Sequence, residues 1–199
     1  GAVAGFADAT GRYLPLVCTL NAARILDAAS RILDKTHDEV AHLALSAAPG
    51  ANGLTLLPYF EGERTPNRPT ANGVFAGMNL NNSNPEDIAR AMVEGMLAGL
   101  ADAVDALVAL GVGVNRILLI GGAAKNPAVP AIASALFGRE VLVPPAGEYV
   151  ADGAAKQAAW ALLGRLPTWD LGEVSHHKSE ATPEVMMRYR ELKNNTQNW

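Results

Sequence analysis

Residues 114–137 read VNRILLIGGAAKNPAVPAIASALF, and this stretch decides the fold class. An apolar run from Ile117 to Ile120 stops at Gly121 and Gly122. Asn126 and Pro127 follow, and then an apolar helical pattern. The reading is a strand that ends in a glycine turn and opens onto a helix. In open α/β sheets such a turn lies at the carboxyl end of a strand, where ligands bind. Glycines allow close approach to the backbone, and a helix N-terminus offers free N–H groups. Alone, the glycine pair fits a ligand site or a tight connection equally well.

The chain has 199 residues, of which 49% are hydrophobic and 18% charged, so it can bury a core. Net charge is −4 and no basic block is present, which argues against nucleic acid as a partner. The single cysteine, Cys18, excludes an internal disulfide and suits a reducing cytoplasm. It reads as a small core filler. No apolar run is long enough to span a membrane, and no signal-peptide pattern occurs. The chain opens on Gly1 with immediate apolar alternation, as expected of a processed product or a part of a longer polypeptide.

Two short strands, 2–7 and 13–17, flank the turn chemistry of Asp8 to Gly11 and predict a hairpin. A helix is expected over 21–33, with Ile25, Leu26, Ala29 and Leu33 on one face. Thr36 and Glu39 form a capping-box pattern that starts a second helix, to about Ala47. Strands are expected at 54–58 and 73–78, around a polar loop at 59–72. A loop of that length is often functional. Asn84 and Pro85 open the longest helix, which ends near Gly111. Gly95 and Gly99 lie one turn apart inside it, so a neighbouring element should pack very closely there. A strand at 140–143, an alanine-rich helix at 153–163 capped by Asp152, an irregular stretch at 165–182 and a last helix from Thr182 to about Leu192, followed by a fraying tail, complete the chain. The order predicts α/β with a mixed sheet.

The usual catalytic sets are thin. His37 and His42 read as surface positions of one helix, and His176 and His177 fall in the irregular stretch. No Cys/His spacing supports a metal site. Neither G-x-S-x-G nor a Walker A loop occurs. Asp87 reads as a helix-start charge and Glu94 as one face of an amphipathic helix. Glu61, Glu63 and Arg64 sit together in the long loop, as a solvated ionic turn or as a functional group.

Several segments together resemble the FGGY family of carbohydrate kinases. They are GVFAGM (73–78) followed by DIARAMVE (87–94), IGGAAKNP (120–127) and GEYVADGAAKQAA (147–159). PYFEGERTP (58–66) and the early FADATGRYLPLVCTLNAARILDAA are most similar to the xylulokinase branch. The resemblance covers the chain to about Arg190. It implies a ribonuclease H-like domain of the actin/hexokinase superfamily, with a mixed sheet flanked by helices and its first strands missing. Residues 1–170 would be the C-terminal, nucleotide-binding domain of such a kinase, and 171–199 an extension with a helix.

By the same resemblance, Gly121 and Gly122 pass against the adenosine of ATP, and Asn126 faces the adenine edge. Ala23 and Asp27 match nucleotide-facing positions of the glycerol kinase branch. Ala123 stands where relatives often carry a third glycine, and its methyl would tighten the pocket. Lys125 reads as a surface lysine. ATP and Mg²⁺ are the implied cofactors. The implied partners are the chain's own N-terminal kinase domain and a pentulose held mainly by that domain, with neither nucleic acid nor membrane and with a homodimer left open. The catalytic aspartate and phosphate loops have no match here, so the isolated chain is expected to be inactive. Other readings are a non-catalytic interaction module and the equivalent domain of a gluconokinase or ribulokinase.

Overall fold

The computed structural model describes residues 3–170 and 172–197. Its centre is the long helix α3 (Pro85–Ala109), against which α1 (Arg24–Leu33), α2 (His37–Ser46) and α4 (Ala128–Phe137) pack. Asn84 starts α3, its side chain accepting from Asp87 N–H at 2.8 Å, with Pro85 in the first turn. The 25 residues give about 37 Å at 1.5 Å per residue.

Among the described residues the strands are short and fall into three sheets. β1 (Ala4–Ala7) and β2 (Tyr13–Leu16) form an antiparallel hairpin with Phe6 opposite Leu14. The Asp8 carboxylate closes its turn, accepting from Thr10 and Arg12 N–H at 2.8 Å. Ala2, where the first strand was expected to begin, lies outside the described residues, as do residues 198–199 of the tail. β3 (Thr55–Leu57) pairs antiparallel with β4 (Val74–Ala76). β5 (Ile117–Leu118) runs parallel to β6 (Val141–Val143), and β7 (Ser175–His177) adds antiparallel to β6. The third sheet is mixed, and its antiparallel member is a strand that the expected element order did not contain.

Three local expectations are corrected. Residues 175–177 form a strand inside the stretch read as irregular. Ser-His-His carries no apolar alternation, because this edge strand is held by backbone pairing to β6. The alanine-rich helix α5 (Tyr149–Leu163) begins at Tyr149, so Asp152 sits in its first turn and does not cap it. Nothing between Glu148 and Gly153 interrupts helical backbone. The first helix begins at Arg24, because Asn21 is buried and used elsewhere: its side-chain N–H₂ donates to Gly62 O at 2.6 Å and Glu63 Oε2 at 3.0 Å.

The core gathers Ile25, Leu26, Val40, Leu56, Met92 and Leu97 from four elements. The last helix, α6 (Pro183–Asn195), adds Val185, Met186 and Tyr189 to the same core. Burial pushes the Tyr59 phenol up to about 12 and holds that of Tyr189 well above its ordinary value. Thr36 and Glu39 make the full capping box at the start of α2. The hydrogen bonds from Thr36 also hold the exposed Glu39 carboxyl below its ordinary value.

Residues 89–98 of α3 are all buried, which corrects the reading of Glu94, while Asp87 is the helix-start charge expected and is buried as well. Asp87 accepts from Asn52 and Asn84 side chains at 2.8–3.1 Å. Glu94 pairs with Arg90 at 2.6 Å and accepts from Gly50 N–H at 2.9 Å. Both carboxylates are at most 3% exposed, so Glu94 is an interior ion-pair member and not part of a solvent face. A buried carboxylate is tolerated only with such partners.

The two glycines of α3 behave differently. A methyl carbon on Gly95 would lie 2.6 Å from Leu56 O and 2.9 Å from Leu56 Cβ. At Gly99 the nearest atom would be Tyr189 Oη at 3.5 Å, an ordinary contact. Gly95→Ala is therefore expected to cost about 1–3 kcal/mol through forced displacement of β3. Gly99→Ala should be neutral or stabilise by up to about 1 kcal/mol through helix propensity. Urea denaturation of both variants checks this; equal effects would show that β3 does not set the approach.

Candidate functional site

Beyond the carboxyl end of β5 the chain reaches Gly121, whose φ of 95° and ψ of 178° suit only glycine. A single 3₁₀ turn over Gly122–Lys125 follows, with Ala124 N–H donating to Gly121 O at 3.2 Å. The turn delivers Asn126 to the start of α4. Asn126 is 9% exposed, and its side chain is held at both ends. Its Oδ1 accepts from Ala128 N–H at 3.0 Å, and its Nδ2 donates to His37 O at 3.3 Å. A carboxamide has two lone pairs on oxygen and two N–H groups. One acceptor and one donor of Asn126 therefore remain for a ligand.

A cavity of about 320 Å³ opens in front of this group. Ala23, Asp27, Gly122 and Asn126 line it, four of the five residues singled out in the sequence. Ala23 and Asp27 share one face of α1 through their spacing of four. Gly121 lines an adjoining cavity of about 170 Å³ instead, together with Pro144, Pro145 and Tyr149 at the start of α5. Lys125 is exposed and borders both cavities. A methyl group on Gly121 or Gly122 would meet no protein atom within 4 Å, so both glycines front open space. Ala123 also lines the larger cavity.

Sequence reading missed His37, Asp38 and Arg24, which also line the cavity. His37 is exposed on α2, as expected, yet its ring Nε2 lies 3.0 Å from Asp27 Oδ1. The capping box marked where α2 starts, but only the packing of α2 beside α1 brings that start to the cavity. Among the described residues, no group of three His, Cys, Asp or Glu side chains is placed to hold a metal ion.

The long loop also reads differently in three dimensions. Glu63 is 3% exposed and accepts from Leu20 N–H at 2.8 Å, Asn21 Nδ2 at 3.0 Å and Arg64 N–H at 2.7 Å. It is a latch that ties the lead-in of α1 to the loop. Glu61 pairs with Arg24 on the surface, and Arg64 is exposed. The three charges thus take separate roles and form no common site.

A mixed sheet with α4 packed against it, and a cavity beyond a glycine turn at a strand's carboxyl end, belong to an α/β domain of the ribonuclease H-like class. The C-terminal domain of the FGGY family of carbohydrate kinases matches residues 2–162, and the chain belongs to that family. It is similar to the xylulose kinase of Streptomyces rubiginosus, 39% identical over 84% of this chain and 33% of the relative. The xylulose kinase of Haemophilus influenzae is 33% identical over 80% of this chain and 32% of the relative. The crystal structure of xylulose kinase from Bifidobacterium adolescentis superimposes with a TM-score of 0.88 at 49% identity, covering 97% of this chain and 38% of that one. Plasmodium falciparum glycerol kinase, 18% identical, shares the fold with a TM-score of 0.72 over 94% of this chain and 39% of its own. The chain spans about a third of the length of the curated relatives it matches.

The Glu63 latch gives a direct test. Glu63→Ala leaves the buried Asn21 amide and the part-buried Leu20 and Arg64 N–H groups without this acceptor, so a loss of about 1–3 kcal/mol is expected, the cost of one orphaned buried polar group. Urea unfolding reads the change. A loss below about 0.5 kcal/mol, the scale of an ordinary surface substitution, would remove the latch role.

Proposed function

We propose that this chain is the nucleotide-binding part of a sugar kinase that transfers the γ-phosphoryl group of ATP to D-xylulose, giving D-xylulose 5-phosphate. The carrying observation is the 320 Å³ cavity where Ala23, Asp27, Gly122 and Asn126 meet beyond β5. The adenine edge presents an acceptor beside an amino donor, and an Asn carboxamide pairs with it bidentately. The donor and acceptor left free on Asn126 fit that pattern. The open fronts of Gly121 and Gly122 leave room for the adenosine to lie against the backbone. The xylulose kinase relatives supply the choice of sugar.

In this reading the chain binds and orients the nucleotide. Mg²⁺, bound with ATP, would offset phosphate charge, and no residue of this chain is assigned to it. The aspartate that takes the proton from the sugar hydroxyl, the phosphate loops and most sugar contacts come from the N-terminal kinase domain. Residues 1–170 then form the nucleotide domain, and 171–199 an extension whose helix α6 seals the core. Large apolar residues are exposed on the hairpin and on α5: Phe6, Leu14 and Leu16, and Val150, Leu162 and Leu163. Surfaces of that kind mark association, and the N-terminal kinase domain is the partner that would cover them. A cytoplasmic setting, where ATP is plentiful, completes the reading.

Calorimetry with ATP tests the binding claim. Millimolar or tighter affinity is expected, weakened about tenfold in Asn126→Ala, the scale of one lost hydrogen-bonding side chain at about 1.4 kcal/mol. Absence of heat at saturating ATP would sink it. A coupled ADP-release assay with D-xylulose should stay at the blank for this chain alone. Turnover above the blank would contradict the assignment of the catalytic aspartate to the N-terminal domain.

A further inference from the structure

His37 is the first residue of α2, and the capping box of Thr36 and Glu39 fixes that turn. Two contacts radiate from it. Its carbonyl oxygen accepts from Asn126 Nδ2 at 3.3 Å, and its ring Nε2 lies 3.0 Å from Asp27 Oδ1. The three residues come from α2, α1 and the glycine turn, and all line the same cavity. The side chains of His37 and Asp27 remain 55% and 50% exposed, so the pair forms a wall of the cavity and is not a core contact.

We propose that His37 is a positioning residue for the nucleotide. Its ring holds one oxygen of Asp27, so that the other accepts a hydrogen bond from a ribose hydroxyl of the nucleoside. Its carbonyl holds the Asn126 carboxamide in register with that carboxylate. An exposed carboxylate otherwise samples several rotamers, and fixing it before the ligand arrives removes an ordering cost from binding. Histidine suits the place because one residue offers a ring donor to α1 and a main-chain acceptor to the glycine turn. The inference rests on the nucleotide reading above and extends it to a residue outside the recognised segments.

The test is calorimetry on the full chain with ATP, 2′-deoxy-ATP and 3′-deoxy-ATP, each analogue lacking one ribose hydroxyl. The unsubstituted chain should prefer ATP to one of the two analogues by about tenfold, the value of one hydrogen bond near 1.4 kcal/mol. The disfavoured analogue identifies which ribose hydroxyl donates. His37→Ala should weaken ATP binding about three- to tenfold, leave the disfavoured analogue nearly unchanged and so erase the preference. His37→Gln, which keeps an N–H donor, should restore it. Asp27→Ala should show the same loss, and His37→Ala should add nothing in that background, because coupled residues are non-additive. The Asn126 contact is made by the His37 main chain and persists in all these variants.

Several results overturn the inference: no preference in the unsubstituted chain, His37→Ala binding ATP as well as before, or effects that add in the double variant. A purely structural link between α1 and α2 would lower the melting temperature and weaken all three nucleotides alike, which also overturns it. If the unsubstituted chain takes up no ATP, the proposed function fails and this inference with it. If ATP binds and His37→Ala is silent, this inference alone fails.

Discussion

Helix α3 sits so close to β3 that a single methyl group at Gly95 would fall 2.6 Å from the Leu56 carbonyl oxygen. That approach fixes the depth of α3 in the domain. With α3 seated, α1, α2 and α4 each pack against it, and α6 closes the remaining side over β3. The cavity exists because the starts of α1, α2 and α4 converge around a helix whose own position is not adjustable. Close-packed interiors respond to a missing or added methylene by shifting neighbours, so the spacing at Gly95 is transmitted to the site through packed helices.

Seating α3 so deeply has an electrostatic consequence. Its first half carries Asp87, Arg90 and Glu94 into the interior. Each is matched: Asp87 by two asparagine amides, Glu94 by Arg90 and a backbone N–H. Arg90 also reaches the carbonyl of Ala44, in α2, at 3.3 Å. These contacts tie the 50–52 turn and α2 to α3 with directional bonds, where apolar packing alone would allow sliding. Glu63 does the same for the lead-in of α1. The fold thus uses buried carboxylates as fixed points, and the cavity-lining residues of α1 and α2 hang from them.

The sequence made the element order legible wherever local chemistry is strong. Asn84-Pro85 and Thr36-Glu39 carry their caps in the side chains themselves, and both helices start where those residues say. The glycine turn after Ile120 was readable because a strand cannot continue through it. β7 was not readable, since Ser175–His177 has no apolar period and is a strand only through the edge of β6. The start of α1 was misread for a related reason: Asn21 has a distant partner, Glu63, and local propensity carries no record of it. For the same cause Glu94 looked like a surface charge. Its helix face is polar in sequence, and burial of that face depends on what the other elements leave uncovered.

Four of the cavity's residues, Ala23, Asp27, Gly122 and Asn126, were named in the sequence because they match positions in segments that resemble the FGGY kinases. His37 was not, because its relation to Asp27 and Asn126 crosses three elements. What the sequence determined by itself is the family, the glycine turn and the residue types available to meet a ligand. What only the tertiary structure decided is which of them face one cavity, which acidic groups are interior supports, and that the start of α2 lines that cavity. The physical reason is that backbone breaks and caps are local free-energy terms, written in neighbouring residues. Burial and convergence depend on how whole helices pack, and that packing is set at contacts such as Gly95 on Leu56.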